Sequence, residues 1–350
     1  MPPYPAASAV FSGYTVERNH MHPIQSHFPH TVGSFSHEEV LPPPRPVKPL
    51  FPGARVALIA PSGPVPEDKL FPAAEVVRSL GLEPVVYESC RARHGYLAGD
   101  DALRARDVNR AFLDPSIDGI LCIRGGYGAQ RFLDRLDYRG IREHPKFFAG
   151  YSDVTALHTV FNQLCGFVTY HTPMPSTELY KVLSGSLDSY TLDSFRSTLF
   201  GTSAGPVENP PGVELQGFSS GKARGILTGG NLSLVSSSLG TTWEIDVRGR
   251  ILFLEDVDET PYRIDRMLTQ LKNAGKFQEC AGLLLGWWTN CGSEDEDGAL
   301  SLEEVFTELL PRDIPILRNL ACGHTLPTMS LPLGIEVEMD ADRGTLTLLG

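Results

Sequence analysis

Short apolar runs alternate with stretches of helical periodicity from residue 54 onward. Residues 54–60 (ARVALIA) form an apolar run of strand length that ends in Pro61-Ser62-Gly63-Pro64. A helical stretch follows over about 68–80, then a strand at 84–87. The acidic pair Asp100 and Asp101 opens a helix that runs through Phe112, and 119–123 (GILCI) is again a strand. Phe147, Phe148 and Ala149 lead into a sharp turn, Gly150-Tyr151-Ser152-Asp153. Beyond it Val154, Leu157, Phe161 and Leu164 keep the i, i+3, i+7, i+10 spacing of an amphipathic helix, and 166–170 is strand-like. Strands and helices at this spacing build βαβ units, and strands that are apolar throughout lie in a parallel sheet covered on both faces. The pattern therefore predicts an α/β fold whose N-terminal domain, 49–200, is a doubly wound, flavodoxin-like parallel sheet.

The pattern then loosens. Residues 201–222 are rich in Gly, Pro and Ser and read as a linker. A second, smaller α/β domain is expected over 223–350, with an apolar stretch at 225–232, strands at 250–255 and 281–285, and a helix over 262–274. Strands at 335–339 and 345–349 flank a turn at 340–344, which reads as a β-hairpin. The acidic run in 292–298 reads as an exposed loop.

Residues 1–48 differ from the rest. They hold five of the ten histidines and the run Leu41-Pro42-Pro43-Pro44-Arg45-Pro46, with no periodicity. We read them as an extension that is disordered or loosely draped on the body and ends in a stiff Pro-rich linker. The body has the composition of a globular protein, 41% hydrophobic and 21% charged over 350 residues. A formal charge of −12 argues against sequence-independent nucleic-acid binding, which needs a basic surface. No apolar run approaches the roughly 18 to 20 residues that span a bilayer, so no membrane association and a cytoplasmic location are expected. The six cysteines contain no C-x-x-C pair, so no zinc knuckle or redox motif is supported.

In a doubly wound sheet ligands bind at the carboxyl ends of the strands, where Ser62, the turn Arg124-Gly125-Gly126-Tyr127-Gly128 and Ser152 all fall. Ser152 sits between a strand and a helix, where free backbone N–H groups favour negative charge, which suits a nucleophile. A plain helix cap is the competing role, since Ser and Asp are preferred caps. The glycine-rich turn suits an oxyanion or a phosphate, but it matches neither G-x-G-x-x-G nor the P-loop pattern. A serine nucleophile needs a base and an orienting acid. Outside the extension the histidines are His94, His144, His158, His171 and His324. His158 lies nearly two turns along the helix from Ser152 and reads as structural; His171 and His324 remain open. Glu255 follows four apolar residues at a strand end, where an unpaired carboxylate is costly, so it reads as the acid. Asp256, Asp258 and Glu259 follow at once, so a solvated acidic loop or, with His324, a divalent-metal site stays open.

Several segments in order resemble the LD-carboxypeptidase family of serine peptidases, which also includes the microcin C immunity proteins. They are ALIAPSGPV (57–65), YLAGDDALRARDVNRAF (96–112), CIRGGYGAQRFLDRLDY (122–138), FAGYSDVTALH (148–158), HTPM (171–174), GGNLSLV (229–235), ILFLEDVDETPYRIDRML (251–268) and CGHTLP (322–327). The resemblance runs from about residue 55 to 349. It implies a Ser-Glu-His triad of Ser152 as nucleophile, Glu255 as orienting acid and His324 as base, with no cofactor and no metal. It also implies oxyanion donors in the backbone N–H groups of Gly126 and Asp153, and a homodimer. Arg124, Gly125, Tyr127 and Asn231 are expected to wall the substrate, with Arg124 or Arg263 as a cation for a free carboxylate. The turn GYSDV lacks the second glycine of G-x-S-x-G. The sequence departs from the family at His171-Thr172-Pro173 and in the pair Trp287-Trp288, both of which bear on pocket shape.

The implied activity is release of terminal D-alanine from cytoplasmic murein tetrapeptides by cutting an L,D bond, in peptidoglycan recycling, with a small muropeptide as the partner. Two alternatives stand beside it: hydrolysis of peptidyl or aminoacyl adenylate analogues, and a catalytically silent module that binds small ligands.

Overall fold

The apolar runs become strands, as the pattern requires. The computed structural model describes residues 43–201, 204–292 and 299–349. In chain order its strands are β1 (Arg55–Ile59), β2 (Glu83–Val86), β3 (Gly119–Cys122), β4 (Phe147–Gly150), β5 (Thr169–His171), β6 (Gly205–Pro206) and β7 (Gln216–Ser219). They continue with β8 (Lys222–Asn231), β9 (Ile251–Val257), β10 (Gly282–Thr289), β11 (Ile316–Arg318), β12 (Leu331–Leu333), β13 (Glu336–Asp340) and β14 (Thr345–Leu348).

Among the described residues the first sheet has six strands in the order β12-β5-β4-β3-β1-β2, with β1 to β5 parallel. The order 2-1-3-4-5 is that of a flavodoxin-like doubly wound sheet, and the crevice at its reversal point lies beyond the carboxyl ends of β1 and β3. The turns carrying Ser62 and Gly125 leave from those two ends, and Ser152 follows β4. β3 and β4 are buried along their whole length, as expected of strands covered on both faces. The helix Asp101–Leu113 starts as the acidic pair predicted: Asp100 is the cap, and its Oδ1 accepts from Leu103 N at 2.7 Å. Phe112, Phe148, Phe161 and Phe167 form an aromatic cluster with centroids 4.9–6.0 Å apart. Each such pair adds about 0.5–1.5 kcal/mol beyond area burial.

The second sheet has the order β6-β14-β13-β8-β9-β10-β11-β7, with β8 to β11 parallel and the flanking strands antiparallel. The β13–β14 hairpin forms as expected. Together the two sheets give the mixed α/β architecture that the pattern predicted.

Several features depart from the sequence reading. The stretch after Ser152 is not one regular helix. It is a 3₁₀ turn (Ser152–Val154), a short α-helix (Thr155–Val160) and a π turn (Phe161–Cys165), closed by Gly166 in the left-handed region. Two edge strands, β6 and β7, arise within residues 201–222, because an edge strand pairs on one side only and tolerates Gly and Pro. Residues 43–50 pack on the body: Arg45 bridges Phe167, and Val47 and Leu50 are buried. The disorder expected for residues 1–42 and the loop expected at 293–298 lie outside the described residues. β12, three residues long, crosses back to pair antiparallel with β5 of the first sheet.

The β5–β12 edge is tied by Asn162, a buried amide whose Nδ2 reaches Phe167 O at 2.8 Å, Thr169 Oγ1 at 3.2 Å and Leu333 O at 3.3 Å. Asn162→Ala leaves buried carbonyls unpaired. The expected loss is about 1–3 kcal/mol of stability, seen as a lower urea midpoint without a change in slope.

Candidate active site

The backbone at Ser152 is the first unusual feature. Its φ is +67°, a conformation that costs a non-glycine residue about 1–2 kcal/mol and concentrates at functional sites. No side-chain hydrogen bond caps the turn, so the capping role open to Ser152 is not realised. Gly125 lies directly against the serine: a β-carbon on Gly125 would stand 2.9 Å from Ser152 Oγ. Glycine is needed there for close approach rather than for its φ.

The loops around Ser152 are tied to each other. Gly63 N donates to Gly125 O at 3.0 Å, holding the turn after β1 to the turn after β3. Arg104, fully buried, donates from Nη1 to Pro61 O at 2.7 Å and Gly128 O at 2.8 Å, and pairs through Nη2 with Asp101. Asp153 is also buried, and its Oδ2 accepts from Ala129 N at 2.8 Å. Burial raises the Asp153 carboxyl above its ordinary range, against the Ser62 hydroxyl, the Ala129 and Gly128 N–H groups and Arg104. This carboxylate fastens the far end of the RGGYG turn to the residue after Ser152.

His324 stands in the loop between β11 and β12, and its Nδ1 lies 2.6 Å from Glu255 Oε2. The Glu255 side chain is fully buried near the carboxyl end of β9. With Nδ1–H donating to the carboxylate, Nε2 is the free acceptor. Gly323 permits this approach, since at its φ of +140° a β-carbon would stand 2.9 Å from Glu255 Oε2. Burial raises Glu255, and the charge and hydrogen bond of His324 oppose it. Burial also pulls His324 down, but the charge and hydrogen bond of Glu255 outweigh it, so His324 lies above its ordinary value. The Tyr151 ring packs against His324 with centroids 4.6 Å apart, which brings the pair beside the chain at Ser152.

The other expected residues divide. Asn231, opposite Glu255 in the β8–β9 register, is not a free wall residue: its Nδ2 donates to Asp256 Oδ1 at 2.8 Å and its Oδ1 accepts from Leu234 N. Asp256 also accepts from Ser233 and Val257, so this acid is a buried hydrogen-bond hub rather than a solvated loop residue. Arg124 donates to Pro64 O at 2.8 Å. Tyr127 is exposed and meets exposed Tyr96 at 5.9 Å. Arg263 binds Glu259 and Tyr262 at the surface. Trp287 donates to Pro327 O at 3.3 Å and holds the loop that carries His324, while Trp288 packs edge-on against Phe306. Among the described residues no group of three His, Cys, Asp or Glu could hold a metal ion.

Two further histidines, His158 and His171, are buried. His158 Nε2 bonds Gly150 O at 2.9 Å, and burial takes its pKa down to about 4. His171 is buried behind Tyr151 without a hydrogen-bond partner on either nitrogen, and burial lowers it further. Sequence reasoning missed Glu178, whose Oε1 accepts from Tyr151 OH at 2.8 Å. Nothing in the local pattern marks a contact across 27 residues.

Replacing Glu255 by Gln removes the charge that favours the imidazolium and leaves the burial. The His324 titration in Glu255→Gln should therefore move to lower pH, as followed by ¹H–¹⁵N NMR of the ring. Gly125→Ala places a methyl against Ser152 Oγ. A fluorophosphonate should then label Ser152 at least about tenfold more slowly, by analogy with misplacements of about 1 Å, with the far-UV spectrum unchanged.

The LD-carboxypeptidase N-terminal domain matches residues 56–172, and the LD-carboxypeptidase C-terminal domain matches residues 224–339. A Bacillus subtilis protein named "Probable murein peptide carboxypeptidase" is 40% identical over 308 residues, 86% of this chain and 93% of the relative. The murein tetrapeptide carboxypeptidase of Pseudomonas aeruginosa is 30% identical over 292 residues, 83% of this chain and 94% of the relative. The microcin C7 self-immunity protein MccF of Escherichia coli is 27% identical over 315 residues, 83% and 90% of the two chains. A solved MccF structure in complex with aspartyl sulfamoyl adenosine has a TM-score of 0.78 at 26% identity, covering 87% of this chain and 98% of that one. With both halves of its body matched, the chain belongs to the LD-carboxypeptidase family and is a serine-type carboxypeptidase.

Proposed function

We propose that this carboxypeptidase releases terminal D-alanine from murein tetrapeptides by hydrolysing an L,D-peptide bond, with Ser152 as nucleophile, His324 as base and Glu255 as orienting acid. The observation that carries the reading is the 2.6 Å contact of His324 Nδ1 with a fully buried carboxylate, in a ring packed on the residue that precedes a serine at φ +67°. The names of two relatives, a murein peptide and a murein tetrapeptide carboxypeptidase, support the substrate class.

The chemistry follows from the tautomer. Nε2 of His324 takes the Ser152 proton as Oγ attacks the amide carbonyl, and Glu255 stabilises the imidazolium that forms. The N–H groups of Gly126 and Asp153 receive the negative oxygen; one such donor is typically worth about 2.7–4 kcal/mol in the transition state. His324 then protonates the leaving D-alanine nitrogen, and water, deprotonated by the same ring, cleaves the acyl-enzyme. Arg124, Gly125 and Tyr127 wall the substrate. Asn231 acts one step back: its amide bonds Asp256 and lies near enough to Glu255 to favour the charged carboxylate.

The same proposal takes residues 49–200 and 223–350 as the two domains, supported by separate family matches to each. It takes the enzyme as a cytoplasmic homodimer in peptidoglycan recycling. The rival substrate class, aminoacyl adenylate analogues, draws support from the likeness to MccF. Higher identity to the murein relatives favours the first class.

Incubation with a murein tetrapeptide should yield free D-alanine by mass spectrometry, and Ser152→Ala should lower the rate at least about 10³-fold. Cleavage of an aminoacyl sulfamoyl adenosine with no D-alanine release would transfer the assignment to the adenylate class. Neither cleavage, with no phosphonate label on Ser152, would favour a silent binding module.

A further inference from the structure

The mechanism above leaves one buried aromatic residue at the centre of the site without a task. Tyr151 lies between Gly150 and Ser152, is 5% exposed, and sends its ring under His324 with a centroid distance of 4.6 Å and an interplanar angle of 51°. Its hydroxyl donates to Glu178 Oε1 at 2.8 Å. Glu178 is itself fixed: its Oε2 accepts from Met174 N at 3.1 Å and from the Thr177 hydroxyl. Behind Tyr151 stands His171, 5.5 Å away and fully buried, which closes the other side.

A single hydrogen bond holds an imidazole along one axis and leaves the ring free to turn about it. Glu255 supplies that axis at Nδ1. A second restraint has to come from packing against the ring, and the Tyr151 ring lies against it at 4.6 Å and 51°. We propose that Tyr151 is a positioning residue for His324: its ring sets the plane of the imidazole, and the bond of its hydroxyl to Glu178 keeps that ring in place. The inference rests on the reading of His324 as the base.

Because Tyr151 immediately precedes Ser152, this brace couples three parts of the chain. The strained serine turn, the histidine loop and the 172–185 segment that bears Glu178 meet in one side chain. The charged and titratable groups facing His324 are Glu255 and Asp256 from β9, Glu178 from that segment, and neutral His171 from β5. Glu255, Asp256 and Glu178 all favour the imidazolium. Glu178 therefore acts on the base twice, by position through Tyr151 and by charge.

Three variants of the full chain separate these effects. Tyr151→Phe keeps the ring, Tyr151→Leu removes it, and Glu178→Gln keeps an acceptor for the hydroxyl while removing the charge. Two readouts apply: kcat and KM for D-alanine release, and the downfield Nδ1–H resonance of His324. Tyr151→Leu should lower kcat roughly 10–100-fold with little change in KM, and should broaden the resonance. Tyr151→Phe, which keeps the ring but loses the bond to Glu178, should fall between wild type and Tyr151→Leu in both kcat and line width. In Glu178→Gln the acid limb of kcat/KM should move to lower pH.

A Tyr151→Leu enzyme with wild-type kcat and a sharp resonance would overturn the proposal. So would a Phe variant as impaired as Leu. If Tyr151→Leu does not fold, as judged by near-UV dichroism, a folded Tyr151→Met with wild-type kcat and a sharp resonance overturns it. The resonance does not depend on turnover. If the wild type cuts no muropeptide, the substrate reading fails, while loss of the signal in Tyr151→Leu alone still supports the brace.

Discussion

The contact between His324 and Glu255 is the constraint on which the rest of the site depends. A carboxylate with no exposed side-chain surface is expensive unless a charged or hydrogen-bonding partner reaches it, and the partner here comes from 69 residues further along the chain. Bringing the two together requires backbone to pass where a side chain would not fit. A β-carbon on Gly286 would meet Cys322 O at 2.4 Å, and one on Gly323 would meet the carboxylate itself. Trp287 then secures the loop through its indole N–H on Pro327 O. Of the bulky pair that is out of pattern in the sequence, Trp287 therefore serves the packing behind the histidine loop, while Trp288 packs on Phe306.

The second sheet meets the first at this same place. Asn231 N, at the end of β8, donates to Thr155 Oγ1 at 3.0 Å, and Gly230 is pressed against the same threonine. Thr155 opens the short α-helix after Ser152. The strand ends that carry Asn231 and Glu255 are thereby registered on the serine turn itself. On the other side of that turn, Arg104 and Asp153 hold the loops after β1 and β3. The strained φ of Ser152 persists because contacts on both sides over-determine it.

How much of this was legible follows from the range of each interaction. Strands such as 119–123, apolar along their whole length, announce a two-sided parallel sheet, and the Asp100 cap is a local signal; both are found. β11 and β12 are three residues long and rest on pairing with distant partners, so no window of sequence contains the cause. At the site, Ser152 and Glu255 stand out as residue types at strand ends, while His171 and His324 stay open until the family resemblance chooses His324. What the sequence does not carry is the Tyr151–Glu178 bond, the buried Arg104 or the commitment of Asn231 to Asp256. Each of these residues reads locally as ordinary. Asn231 looks like a free polar wall residue because its partner, Asp256, looks like part of a solvated acidic run.

The histidines show why residue type alone could not choose the proposed base. His158, His171 and His324 are all largely buried, and burial pushes each toward the neutral form. His158 has only a carbonyl as partner and His171 has none, so both fall below the ordinary value and neither can store a proton near neutral pH. His324 is the one of the three with a carboxylate on Nδ1, and it alone is raised. A base must be neutral before attack yet hold a proton during it, which needs both desolvation and a counter-charge. Desolvation is a property of the core and recurs at each of these rings. The counter-charge requires an acid buried at the end of β9 and a glycine that lets the ring approach it.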